Sequence, residues 1–317
     1  MQCIEIVPNI SEGKNQEIIR YIIRQALHNN AAKLLHCDSN ADANRTVLTI
    51  AGEALSVTQA AFQLIQAASE KIDMRLHKGE HPRLGATDVC PLVPISGISL
   101  HETAVLADQL ARRVGREIHL PVYLYEQNAS DEERKNLAFI RKGEYESLPQ
   151  KIIQLPPDYG SKIYSEQTAK TGAVIIGARN FLIAFNISLN TQDTLPAKQI
   201  AAVLREKNNG LKAVKAIGWY MEGYKSAQVS FNLTDFHTTG LAEVFEACQK
   251  EAEKAGLRII GSELIGLAPM EAILNAGRFY SPSEKDPDKL IELAVKKLGL
   301  NKICPFNPKE RILENLL

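Results

Sequence analysis

The sequence predicts an α/β (α+β) protein built from two tandem ferredoxin-like βαββαβ subdomains with mixed sheets and outer helices. Three observations predict it. The order strand-helix-strand-strand-helix-strand appears before residue 96 and again after residue 179. The helical stretches carry apolar residues at three- and four-residue spacing, whereas the strands are short apolar runs ended by Pro, Gly or Asn. At 317 residues the chain has the length of about two domains.

In the first half, residues 2–7 read as a strand that Pro8-Asn9 ends. Residues 14–30 place Ile18, Ile19, Ile22, Ile23, Ala26 and Leu27 on one helical face. Residues 33–38 and 45–52 are short strands around a polar loop. A helix from Ser56 turns Val57, Ala60, Ala61, Leu64, Ile65 and Ala68 inward, and residues 89–95 close the unit as a strand. The second half repeats the order: a strand at 180–189, a helix at 196–208 with Pro196 in its first turn, and strands at 212–220 and 227–233. A helix from Thr239 follows, with Leu241, Val244, Phe245 and Cys248 on one face, and a closing strand starts at 258–260. Between the halves the sequence predicts a helix at 99–114, a strand at 121–125, a polar helix near 131–137 and a linker at 149–171. The loop signal is strongest at 156–160. The domain junction falls near residue 178, giving subdomains 1–178 and 179–317, the latter with tail helices at 288–298 and 309–316.

Composition narrows the function. Thirty-seven basic residues balance thirty-seven acidic ones, with 45% hydrophobic and 23% charged residues, a soluble globular profile. Zero net charge argues against a broad face for nucleic acid or acidic membranes. No apolar run reaches membrane-spanning length, and the start has neither a basic n-region nor a signal-like cleavage site. Five widely spaced cysteines without a CxxC pair suit reduced thiols in the cytoplasm.

Chemistry concentrates at residues 75–88, where two histidines, three basic and two acidic residues precede a buried strand without helical or strand periodicity. The segment from His77 to His81 matches the inverted zinc-protease pattern H-x-x-E-H. That pattern needs both histidines on one helical face, and Gly79 and Pro82 oppose a helix here, so no metal site is expected. Residues 172–177 have P-loop glycine spacing, but Ala178-Arg179 replace the required Lys-Ser/Thr, and the apolar centre predicts a strand. No G-x-G-x-x-G follows a strand, no serine sits in a G-x-S-x-G elbow, and Cys90 reads as core.

A resemblance runs in order over nearly the whole chain. Residues 7–13 (VPNISEG), 44–47 (NRTV), 77–91 (HKGEHPRLGATDVCP), 121–125 (PVYLY), 143–146 (GEYE), 177–186 (GARNFLIAFN) and 216–220 (AIGWY) resemble the glutamate formimidoyltransferase family. The resemblance implies transfer of a formimino group from N-formimino-L-glutamate to N5 of tetrahydrofolate, releasing glutamate, in histidine breakdown. It implies two similar subdomains whose sheets face each other across a folate tunnel, usually in a homodimer. Tetrahydrofolate is then a co-substrate, and no metal is implied. The family's catalytic histidine falls on His81, and its charged tunnel residues fall on Asp38 and Arg45. The folate-binding stretch falls between Gly160 and Gly172, covering Ser161, Lys162, Ile163, Tyr164, Thr171 and Gly172; the sequence departs from the family pattern at Ser161 and at 166–171.

Amidine transfer removes a proton from the attacking amine and delivers one to the departing amine, and one imidazole can do both in turn. His81 is therefore the expected acid–base group, the competing reading being a loop fixture before Pro82. Asp38 is expected to bond the amidinium or orient His81, or simply to end its strand. Arg45 and Arg83 suit substrate carboxylates, or are strand-end surface residues. Lys78 draws anions inward or is merely solvated. Asn9, Ser11 and Glu12 lie in a strand-to-helix loop whose amides can receive an anion, with Ser11 as a plain helix cap the alternative. Other possibilities are a transferase using formiminoglycine or a formyl-folate donor, and a non-catalytic folate-binding protein. The length leaves no room for a fused cyclodeaminase domain, so the next step is expected to need a separate protein.

Overall fold

The structure is a computed structural model that describes residues 2–317. The chain divides into two compact units, Met1–Asn180 and Phe181–Leu317.

The first unit opens with β1 (Cys3–Ile6) and β2 (Asn9–Ile10), followed by α1 (Gln16–Ala26), β3 (Lys33–Asn40), β4 (Arg45–Glu53), α2 (Ala54–Lys71) and β5 (Thr87–Ser96). Both β1 and β2 pair antiparallel with β4 on one side and β5 on the other, so they form one strand line interrupted at Val7-Pro8. Pro8 has no amide to donate, but its carbonyl still accepts from Leu48 N at 3.0 Å. With β3 against β4, these strands have the expected split βαβ order. After α3 (Leu100–Glu117), β6 (Val122–Leu124) and a strand here called β7 (Val174–Ala178) extend the sheet, and β7 lies parallel between β5 and β6. Thus the P-loop-like spacing at 172–177 leads into a buried strand.

Alternation sorts the two faces of this sheet. Ile4, Ile6, Leu48, Ile50, Leu92 and Ile176 pack with α1, α2 and α3 in the main core. On the opposite face, Val89, Tyr123 and Ile175 pack with Ile140, Leu148 and Ile152. These last residues come from α4 (Leu137–Arg141) and α5 (Leu148–Gln154), which correct the sequence expectation. The polar helix near 131–137 is a single 3-10 turn at Glu133–Lys135, because Asn136 caps the next helix by accepting from Ala138 N. The linker at 149–171 contains two helices. Pro149 stands in the first turn of α5, where its missing N–H costs nothing, and Ser165 caps α6 (Glu166–Thr171).

The second unit has β8 (Ile183–Leu189), α7 (Thr194–Leu204), β9 (Val214–Met221), β10 (Ser226–Leu233), α8 (Leu241–Lys254) and β11 (Ile259–Ile265). Its sheet order, β11-β8-β10-β9, is the ferredoxin-like one. Phe185, Val229 and Phe231 pack under the helices. The other face carries a buried polar network: Glu263 accepts from Asn186 Nδ2, Gln228 Nε2 and Tyr224 OH at 3.2, 3.1 and 2.8 Å. A helix that the sequence reading omitted, α9 (Met270–Tyr280), precedes α10 (Pro287–Leu298). The final predicted helix shortens to α11 (Pro308–Arg311) and a 3-10 turn. Among the described residues no helix is long and apolar enough to cross a membrane.

Candidate active site

The segment between α2 and β5 has no regular structure. It is held by the 40–44 turn instead. Asn44 Nδ2 donates to Lys78 O at 2.9 Å, Glu80 N to Asp42 O at 3.3 Å, and His77 Nε2 to Asn44 O at 2.9 Å. Only glycine fits at position 79, where a Cβ would lie 2.3 Å from Ala43 O.

His81 is half-buried, and its Nδ1 lies 2.8 Å from the Pro82 carbonyl. A carbonyl only accepts, so Nδ1 carries the proton and Nε2 carries the lone pair. Burial, then the charges of Arg45 and Arg141, push the His81 pKa down to about 3. The imidazole is therefore neutral at physiological pH.

A charged cluster acts on it electrostatically. Asp88, fully buried at the start of β5, has Oδ2 2.7 Å from Arg45 Nη1. Arg141, the last residue of α4, donates Nη2 to the same oxygen and Nε to Oδ1 at 3.3 Å. Leu84 N also donates to Oδ1 at 2.9 Å, which fixes the chain just after His81. Burial opposes ionisation of Asp88, but Arg141 and Arg45 outweigh it and hold the carboxyl at about 2. Burial also draws Arg45 down to about 10, still protonated at neutral pH. Two guanidiniums against one carboxylate leave one positive charge in excess.

The sequence-predicted residues divide into groups. Asn9 joins the cluster, because its Oδ1 accepts Arg45 Nε at 2.9 Å. Asp38, partly exposed on β3, stands opposite Val47, and Asn40 stands opposite Arg45, so Asp38 and Arg45 share a sheet face two residue pairs apart. Ser11 is buried, its Oγ donating to Gly85 O at 2.7 Å, and it does not cap a helix: Asn15 caps α1. The loop amides are also taken. Gly13 N donates to Asn44 Oδ1, and Lys14 N and Asn15 N donate to Glu12 Oε1, so no anion cradle stands open there. Arg83 is a buried scaffold residue: its two Nη atoms reach Glu144 and Glu146, and its Nε reaches His77 Nδ1 at 3.3 Å. The surface expectation for Arg83 therefore gives way to an internal ion-pair network, and Arg83 also lines a cavity with Lys78, Gly143 and Glu144. Lys78 remains exposed.

In the stretch from Gly160 to Gly172, Thr171 and Gly172 are brought against the histidine loop. Ala86 N donates to Thr171 O at 2.7 Å, and Gly172 bridges Gly85. Ser161 is half-buried, and Lys162, Ile163 and Tyr164 are exposed, with Ser161 Oγ donating to Ile163 O. Sequence reasoning missed Asp88 and Arg141. An acidic residue directly before the apolar run Val89–Val93 was a signal for Asp88, because a buried carboxylate requires partners. Among the described residues, no group of three or more His, Cys, Asp or Glu is arranged to hold a metal.

Two ferredoxin-like units, one carrying a neutral imidazole and a guanidinium-rich cluster that acts on it, define a fold and site suited to acid–base chemistry on anionic molecules. The formiminotransferase domain, N-terminal subdomain, matches residues 3–179, and the formiminotransferase domain matches residues 184–317. The chain belongs to the formiminotransferase family. It is 43% identical to the glutamate formimidoyltransferase of Streptococcus pyogenes serotype M1 over 280 residues, covering 87% of this chain and 92% of that one. The glutamate formimidoyltransferase of Thermoplasma acidophilum is 37% identical, with 88% and 92% covered. The formimidoyltransferase-cyclodeaminase of Mus musculus is 44% identical over 329 residues and all of this chain, which spans 60% of that protein's length.

Proposed function

We propose that the protein is a glutamate formimidoyltransferase, transferring the formimino group of N-formimino-L-glutamate to N5 of tetrahydrofolate and releasing L-glutamate. The observation that carries this reading is the neutral His81 imidazole, its Nδ1 proton committed to the Pro82 carbonyl, beside the excess positive charge of Arg45 and Arg141.

N5 attacks the amidine carbon and forms a tetrahedral adduct. Nε2 of His81 takes the proton from N5 and then delivers it to the glutamate nitrogen, and the C–N bond to glutamate breaks. One proton leaves N5 and one arrives on the leaving amine, so the imidazole ends as it began. In the free protein His81 is a weak base. Substrate carboxylates offset the neighbouring guanidinium charge and raise its proton affinity once bound. Arg45 attracts these carboxylates while Asp38 meets the amidinium. The stretch 160–172 binds folate, with Thr171 and Gly172 on the side of the histidine loop.

We also infer a cytoplasmic homodimer in histidine and one-carbon metabolism. Five free cysteines suit a reducing compartment, and the dimer follows the family resemblance.

The test is release of the amino acid by purified protein, glutamate from formiminoglutamate and glycine from formiminoglycine as control donor, with and without tetrahydrofolate. Release that requires both formiminoglutamate and tetrahydrofolate is expected. Folate binding without release would overturn the reading.

A further inference from the structure

Arg141 sits at the end of a five-residue helix and matches no sequence motif. Its side chain is nevertheless only 13% exposed, and it grips Asp88 through both carboxylate oxygens. The grip is redundant for pairing, because Arg45 already binds Asp88 at 2.7 Å and Leu84 N binds its second oxygen. A second guanidinium on a paired, buried carboxylate adds a like charge to a crowded site. Such an arrangement is expected only where the surplus charge or the geometry it enforces is used.

We propose that Arg141 is a positioning residue for His81, acting through Asp88 and Arg45. By sharing Asp88 it leaves the positive charge of Arg45 incompletely neutralised and acting on the imidazole. By gripping both oxygens it fixes the carboxylate that holds Leu84, three residues after His81. Among the charged groups that act on His81 are Arg45 of β4, Asp88 of β5 and Arg141 of α4. On its own loop, Lys78 and Glu80 are exposed, and Arg83 is held by Glu144 and Glu146. With Arg141 gone, the remaining Arg45–Asp88 pair is neutral, and the field that disfavours imidazolium weakens.

This inference rests on the acid–base role given to His81. Its test compares the full chain, Arg141→Met and Arg141→Lys by two readouts. The first is the NMR titration of the His81 imidazole, assigned by its loss in His81→Gln. The second is the pH profile of kcat/KM for formiminoglutamate. In Arg141→Met, His81 should titrate about one pH unit higher, and the acid limb should move upward by the same amount. Arg141→Lys keeps the charge but not the fork, so its titration should stay within a few tenths of a unit while kcat falls.

A His81 titration that is identical in Arg141→Met and the native chain, both folded by circular dichroism, would overturn the proposal and leave Arg141 a structural clamp. If Arg141→Met does not fold, an Arg141→Lys protein with a displaced acid limb would equally overturn it. Absence of turnover in the native chain would instead strike the proposed reaction, and the NMR readout separates the two failures.

Discussion

Arg45 and Asp88 meet at 2.7 Å although 43 positions separate them, and both side chains are almost wholly removed from water. Replacing Asp88 by Asn keeps the shape and removes the charge, leaving Arg45 and Arg141 without a counter-ion. Urea unfolding should show a loss of about 3–5 kcal/mol, the usual result of breaking a buried ion pair on one side. A midpoint close to that of the native chain would contradict the cluster's role.

His81→Ala removes the proposed proton carrier. Turnover should fall by roughly 10²–10⁴-fold with tetrahydrofolate affinity within a few-fold of native, as measured by glutamate release and equilibrium binding.

Acid should first destabilise the protein through His81 and the similarly burial-depressed His77, the depressed carboxylates such as Glu146 adding a loss only below their ordinary 4.5. The folded pKa of His81, about 3, lies below the ordinary 6.5, so between these values the unfolded chain binds the extra proton. Stability is full above about pH 6.5 and declines as the pH falls toward 3. Asp88 adds a loss of the same sign only below its ordinary 3.8, as the pH approaches 2. Calorimetry should show a Tm lower by roughly 5 °C at pH 5 than at pH 7.5, and a smaller difference in His81→Gln.

Arg83→Gln should behave as a scaffold lesion. Its guanidinium is committed to Glu144, Glu146 and His77, so kcat should drop about tenfold or more while KM for formiminoglutamate stays within about twofold. A large rise in KM alone would restore a substrate-binding role.

Gly172 has φ +70°, and a Cβ there would lie 2.4 Å from Gly85 Cα. Gly172→Ala should cost roughly 1–3 kcal/mol in chemical denaturation and disturb the histidine loop, because neither backbone can retreat.

The regular elements were legible because their burial is periodic: Ile19, Ile22 and Ala26 of α1, or Val229, Phe231 and Leu233 of β10, repeat as a helix and a strand must. Helices α4, α5 and α6 were not, since five to seven residues are too few to display a period, and α4 and α5 are stabilised by Tyr123 and Ile175 from distant strands. The same contrast divides the site. His81 lay in a dense local motif, and Arg45 at the start of a strand. The partners that set their chemistry, Asp88 and Arg141, are defined by contacts 43 and 53 positions apart, which no local pattern encodes.

Those long separations also bear on how the protein matures. Asn9, Arg45, Asp88 and Arg141 come from β2, β4, β5 and α4, so their convergence requires several large chain closures to be complete. A half-assembled first unit can hold α1 and α2 on their strands yet lack α4, and it then lacks the last guanidinium. The charge cluster is thus an internal seal on folding: the chain acquires its reactive imidazole environment only when α4 has docked.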